Sequence, residues 1–213
     1  VTGTDTGVGK TVFAAGLTAA LGARYWKPVQ AGLDEATDSE TVAALSGRPV
    51  LPEAYRLTRP ASPHLAAEAE QLRIDPARLT LPQGAGRLVV EGAGGVMVPL
   101  TREITFLDMF ARWRAPVILV ARTRLGTINH TALSLAALRG AGCRVVGVAF
   151  MGPPEPEVED SIAQICKVRH LGRIGPLAPG EREPESPGAA AGEGRARQPD
   201  LARQFLGRPR MGD

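Results

Sequence analysis

"GTDTGVGKT", residues 3–11, is the stretch whose reading decides the fold. The usual phosphate-binding loop reads Gly, four residues, then Gly-Lys-Ser/Thr. Counting back from Gly9-Lys10-Thr11 puts the first glycine at position 4, but Thr4 stands there and the glycine is Gly3. Gly7 and Gly9 permit backbone angles that turn several N–H groups inward. With the N-terminus of a following helix, those donors make a concave anion seat. Lys10 would reach the terminal phosphates, and the Thr11 hydroxyl would ligate Mg²⁺. The plainer alternative is a glycine-rich turn without a ligand. The Gly-Lys-Thr ending, placed just before a helix, favours phosphate.

Reading outward, strands and helices alternate. Residues 11–22, "TVFAAGLTAALG", are apolar all round and end at Gly22, a pattern for a buried helix with a glycine stop. Residues 23–29 read as a short strand ended by Pro28, and 38–47 as a short helix capped by Asp38 or Ser39. Prolines punctuate 48–86, which carries only weak helical pieces. "RLVVEGAGG" (87–95) is an apolar strand breaking into glycines, and 105–113 is helical with Thr105 as its cap. "APVILVA" (115–121), "CRVVGVAF" (143–150) and "LGRIGPL" (171–177) read as strands, separated by helices over 129–142 and 157–168. Wholly apolar strands alternating with helices predict one α/β domain, a doubly wound, mostly parallel sheet covered on both faces. The domain is expected over 1–179. From about Gly180 the composition shifts to Gly, Pro, Ala, Glu and Arg, which reads as a mostly flexible tail over 180–213.

Composition narrows the function. The chain has 213 residues and only 4% aromatics, so its core is built from Ala, Val, Leu and Ile. The formal net charge is +3 with arginines scattered among acids, which is no footprint for nucleic acid. Cys143 and Cys166 lack metal or redox spacing and read as reduced, buried thiols of a cytoplasmic protein. No apolar run approaches a bilayer span, and no signal peptide is recognisable, so no membrane partner is expected. Only Val1 and Thr2 precede the loop, so the start of a first strand is expected to be missing.

Two further segments suit a nucleotide site. Glu91 ends the apolar strand of "LVVEGAGG", where an acidic residue supports a metal, and Gly92, Gly94 and Gly95 would let backbone approach a ligand. Alone, the segment also reads as a strand-to-turn junction with a solvated Glu. "KPVQAG" (27–32) puts Lys27 at a strand end, where it would face the ligand crevice and neutralise a transferring phosphoryl group. A surface lysine is the plainer reading. Asp38 fits helix capping and metal binding equally.

Together, "GTDTGVGKT", "KPVQAG", Asp38, "SPHLAAE", "VEGAGG", "PVILVA" and "LGTINHTALS" make the chain resemble dethiobiotin synthetase up to about position 180. The displaced glycine resembles that family's own loop. The resemblance implies an ATP- and Mg²⁺-dependent cyclo-ligase of biotin synthesis, closing a cyclic urea on 7,8-diaminononanoate with CO₂. Lys10 and Lys27 match the lysines that clamp phosphates and developing charge, with Thr6 beside the carbamate. Thr11, Asp38 and Glu91 match the Mg²⁺ set.

The resemblance also implies nucleotide contacts at Gly7, Val8, Gly9, Gly92, Ala93, Gly94, Gly175, Pro176 and Leu177. Substrate contacts fall at Thr6, Lys27, Ala31, Gly94, Gly95 and Val96. Gly126, Thr127, Ile128 and Asn129 match a helix start that binds the substrate carboxylate across a homodimer interface; without the family match, a plain cap by Asn129 explains them as well. Departures are Met151 where the family carries an adenine-reading Asn, Ala31 where a hydroxyl is expected, and Gly175 where proline is usual. The alternatives are a related P-loop ligase acting on another substrate, an inactive nucleotide-binding protein, and a partition-type regulatory ATPase switch. The switch would carry an extra lysine where this chain has Asp5.

Overall fold

The computed structural model describes residues 1–176. The expected tail, the boundary at 179 and Leu177 lie outside the described residues. In chain order the elements are β1 (Thr2–Gly3), α1 (Lys10–Leu21), β2 (Arg24–Trp26), β3 (Val29–Ala31) and α2 (Asp38–Ser46). Then follow β4 (Val50–Leu51), β5 (Tyr55–Leu57), α3 (Pro63–Ala69) and β6 (Leu88–Val90). The last third holds α4 (Phe106–Trp113), β7 (Val117–Arg122), α5 (Thr127–Gly140), β8 (Val145–Met151), α6 (Pro156–Ile165) and β9 (His170–Ile174).

All paired strands run parallel. One sheet has the order β1-β7-β8-β9 and a second β4-β2-β6. Backbone bonds join them: the Val1 nitrogen donates to Val90 O, and Gly92 N donates to Val1 O. β1 therefore lies between β6 and β7. The chain steps one way from β1 to β2 and the other way after β6, and ligands of such sheets bind at the strand C-termini beside that reversal.

Period-two alternation explains why both faces are covered. Val117, Leu119 and Ala121 of β7 enter a core with Phe106, Met109, Leu135, Leu138 and Ile162 from α4, α5 and α6. Val120 turns the other way, onto Val8 and Phe13 of the loop and α1. Each fully buried side chain of this size contributes about 1.5–3 kcal/mol, so the long central strands rather than the two-residue β1 anchor the layer.

Four local expectations change. Thr37, not Asp38 or Ser39, caps α2: its side chain accepts from Glu40 N and its own N–H donates to Glu40 Oε2, a reciprocal capping box. Asp38 is thereby left to other partners. Gly126, at φ 92°, precedes α5, so Asn129 sits inside the helix and is not its cap. The strand expected over 23–29 divides into β2 and β3, because Pro28 has no N–H for the ladder. Strands β4 and β5 occupy the proline-rich stretch, with β5 pairing β3 outside the main sheet. At two and three residues, neither is long enough to show a period. Among the described residues no helix is long and apolar enough to cross a membrane.

Candidate active site

The loop geometry accounts for the displaced glycine. A Cβ at Gly3 would lie 2.7 Å from Val8 Cγ2 and 3.0 Å from Lys10 Cδ, because the loop folds back over the end of β1. Thr4 does not take a left-handed conformation, so a β-branched residue is tolerated there. Gly7 (φ 68°) and Gly9 (φ 94°) do take it, as expected. Asp5 ties the loop to the sheet: its carboxylate accepts from Thr6 N at 2.7 Å and from Arg122 of β7 at 3.3 Å.

Lys10 opens α1 and is buried, with Nζ donating to Asp5 O at 2.9 Å. Burial, reinforced by the nearby Lys27 cation, lowers its pKa to about 8 against the pull of Glu91, Asp38 and Asp5. Lys27 is not a surface lysine. It is 3% exposed, and Nζ contacts Asp38 Oδ2 at 2.5 Å and Glu91 Oε1 at 3.3 Å.

Strand register makes this meeting. β2 pairs β6 with Trp26 opposite Val90, so the next residues, Lys27 and Glu91, leave the sheet side by side. Glu91 is wholly buried rather than solvated. Thr11 Oγ1 lies 2.7 Å from Asp38 Oδ1 and 3.1 Å from Glu91 Oε1, and the Tyr25 hydroxyl donates to Glu91 Oε2 at 2.9 Å. Burial alone would raise the Asp38 pKa, but the Lys27 ammonium and the Thr11 hydroxyl bring it below the ordinary carboxylate value. Burial likewise works against the Lys27 charge, and Glu91 and Asp38 outweigh it, raising its pKa.

Two carboxylates and a hydroxyl converging beside a phosphate loop are hard oxygen donors. Among the described residues no group of three or more His, Cys, Asp or Glu is placed to cage a metal alone. Such a set suits Mg²⁺, which takes one or two carboxylates and completes its shell with phosphate oxygens and water.

A cleft of about 670 Å³ opens over these groups, lined by Thr6, Gly7, Gly9, Lys10, Thr11, Lys27, Ala31, Asp38, Glu91, Ala93 and Gly94, with residues 60–63 as another wall. A second cavity of about 620 Å³ shares Gly7 and Gly9 and includes Val8, Met151, Gly175 and Pro176. Met151 packs on the loop, where a Cβ on Gly9 would stand 3.0 Å from its side chain.

Three residues read as ligand contacts, Gly92, Gly95 and Val96, line neither cavity. A Cβ on Gly92 would stand 2.9 Å from the Phe110 ring and one on Gly95 3.3 Å from Thr4 O, so both glycines make room for the protein's own atoms, while the Gly92 carbonyl accepts from Lys27 Nζ at 3.3 Å. Val96 is a core residue. Gly126, Thr127, Ile128 and Asn129 also lie outside both linings, on the start of α5, with Leu125 wholly exposed beside them. Gln30 and Tyr25 were not legible as site residues. Gln30 lines the cleft and its Oε1 accepts from Asp38 N at 3.3 Å. The only signal for Tyr25 is its i, i+2 spacing from Lys27, which puts both on one face of a strand.

The thiols follow their burial. Cys166 is buried and Cys143 half-buried, and burial raises the Cys143 pKa.

Comparison with known proteins places the chain in a family. The family model described as an AAA domain, AAA_26, matches residues 1–183. The ATP-dependent dethiobiotin synthetase BioD of Rhodopseudomonas palustris (strain BisB5) is 61% identical over 181 residues, which cover 84% of this chain and 85% of that protein. The BioD of Brucella anthropi is 58% identical over 181 residues, covering 84% and 85%. That of Agrobacterium fabrum is 59% identical over 177, covering 82% and 84%. With identity near three-fifths over more than four-fifths of its length, the chain belongs to the ATP-dependent dethiobiotin synthetase family.

Proposed function

We propose that the chain closes the ureido ring of dethiobiotin from 7,8-diaminononanoate and CO₂, consuming ATP with Mg²⁺ as cofactor. The observation that carries this reading is the convergence of Lys10, Thr11, Lys27, Asp38 and Glu91 at the floor of one cleft. One amine adds to CO₂ and loses a proton, giving a carbamate. A carbamate oxygen attacks the γ-phosphorus, the bond to ADP breaks, and a carbamic–phosphoric anhydride forms. The second amine attacks the carbonyl, loses its proton, and expels phosphate.

Carbamate and triphosphate repel, so the chain must hold two anions in line. The N–H groups of residues 7–11 and the Lys10 ammonium receive the phosphates. Lys27 and Thr6 line the same cleft and receive the carbamate. Mg²⁺ held by Thr11, Asp38 and Glu91 would neutralise charge on the phosphates. The cavity beside Met151 takes the nucleoside; Met151 offers a thioether and no amide, so base selectivity is low. The exposed start of α5, with Leu125 and Leu133 beside it, is the surface for a second copy. There, N–H groups at the start of α5, apart from that of Thr127, which donates to Arg124 O at 3.1 Å, receive the substrate carboxylate of the other protomer's site.

The test is phosphate release from ATP with Mg²⁺ and bicarbonate, with and without the diamine, while product mass is followed. Release should depend on the diamine and match the cyclic urea in amount, and CTP or GTP should substitute. Turnover indifferent to the diamine would favour the switch-type ATPase.

ATP binding should also depend on pH. Burial holds Lys10 at about 8 in the ligand-free protein, so above that value the site loses a positive charge. Phosphate favours the charged form, so binding at about pH 8.5 should take up as much as one proton per site, and affinity should fall as pH rises further. Calorimetry in buffers of differing ionisation enthalpy reads the sign. Proton release would count against the Lys10–phosphate contact.

A further inference from the structure

We infer that Tyr25 is the positioning residue for the Glu91 carboxylate and thereby sets how well this site holds a divalent metal, an inference that rests on Thr11, Asp38 and Glu91 being the metal set. Tyr25 lies opposite Val89 in the parallel pair of β2 and β6. Glu91 is two residues beyond Val89, on the same face of the sheet, so the tyrosine side chain reaches along the strand direction to it. Both residues are 0% exposed.

The hydroxyl donates to Oε2 at 2.9 Å, while Oε1 meets Thr11 and Lys27 at 3.1 and 3.3 Å. Among the described residues Tyr25 is the sole partner of Oε2. One oxygen is anchored from within the fold and the other is left facing the cleft.

The division matters because the last torsion of a glutamate is soft and roughly two-fold. Without that anchor only the contacts of Oε1 with Thr11 and Lys27 orient the carboxylate, and it samples more orientations, only some of which direct an oxygen at Thr11 Oγ1. The surroundings are built for the ring. Ala14 and Ala15 of α1, with Ala23 and Val42, enclose it in one apolar cluster, where small side chains leave room for a tyrosine against the sheet. The adjacent Trp26 faces away and spends its N–H on Pro52 O at 3.0 Å. Partners one shell behind a metal ligand commonly change metal affinity or activity by about 10–100-fold when removed.

Tyr25→Phe deletes the hydroxyl and keeps the ring. Mn²⁺ is titrated, by electron paramagnetic resonance, into one-to-one complexes of a non-hydrolysable ATP analogue with wild type, Tyr25→Phe and Glu91→Gln. Both variants should bind Mn²⁺ more weakly, Tyr25→Phe by about tenfold, and the Mg²⁺ needed for half-maximal turnover should rise while the diamine KM stays put. A Tyr25→Phe variant that only melts earlier and binds Mn²⁺ like wild type overturns the positioning role. Wild-type affinity in Glu91→Gln overturns the metal set itself.

The wild-type protein offers a check that needs no change at Tyr25. It has only two tyrosines, so 3-fluorotyrosine labelling gives two ¹⁹F signals, assigned with Tyr55→Phe. Tyr55, whose hydroxyl accepts from Asp75 N beneath Arg78, is the internal reference. Mg²⁺ added to the analogue complex should move the Tyr25 signal more than that of Tyr55. A Tyr25 signal indifferent to Mg²⁺ overturns the proposal.

Discussion

Lys10→Ala should lower kcat/KM for ATP by about 10³-fold, the loss expected when a preorganised cation is removed from a transferring phosphoryl group. The fold should survive. In the ligand-free protein Lys10 makes one hydrogen bond, to Asp5 O, and burial disfavours its charge. Truncation removes some methylene packing over Gly3, but it also removes a poorly solvated cation, and these effects oppose each other. Below about pH 8, where that cation is charged, the variant should unfold in urea at a concentration close to that of wild type. Steady-state kinetics and urea unfolding on the same preparation check both halves. A stable variant with near-normal kcat/KM would remove Lys10 from the chemistry.

Lys27→Ala should behave differently, because it impairs turnover and the fold together. Removing Lys27 deprives Asp38 and the wholly buried Glu91 of their nearest ammonium. Breaking one side of a buried ion pair costs about 3–5 kcal/mol, which should be visible as a lowered urea midpoint. An intact fold is expected of the Lys10 variant alone.

The pH dependence separates lost charge from lost packing. In wild type the Asp38 carboxyl is held below its ordinary value near 3.8. That contribution is complete above the ordinary value and is lost as pH falls through the folded-state value. In Lys27→Ala the ammonium is gone and burial raises the Asp38 carboxyl pKa, so acidification from neutral pH protonates the folded state first and relieves the repulsion. The stability gap between wild type and variant should therefore narrow as pH is lowered toward about 5. A gap independent of pH would make Lys27 a packing residue. Unchanged stability with an unchanged rate would end its assigned role.

Much of the site was legible because its pieces are local. Lys10 and Thr11 are adjacent, and their placement follows from backbone angles at Gly7 and Gly9 and from the start of α1. Asp38 was ambiguous because the first residues of a helix suit an acid whatever it does. Capping is removed only when Thr37 is seen to cap α2 and the Asp38 side chain is found on Lys27 and Thr11. Gly92 and Gly95 are ambiguous for the converse reason. A run of glycines beside a ligand loop permits close approach by a ligand or by the protein's own atoms, and here Phe110 and Thr4 make that approach.

The sequence by itself determined the parallel, doubly wound α/β architecture, the phosphate loop and the glycine stop of α1. Each follows from neighbours along the chain, through the period of apolar residues, the angles open to glycine and the free N–H groups of a helix start. Only the tertiary structure decided that Lys27 is buried, that Glu91 is held from behind by Tyr25, and which glycines face the cleft. Those facts depend on β6 lying between β2 and β1, and on Tyr25 falling opposite Val89. Strand order and register bring together residues more than sixty positions apart, and no local pattern carries that information.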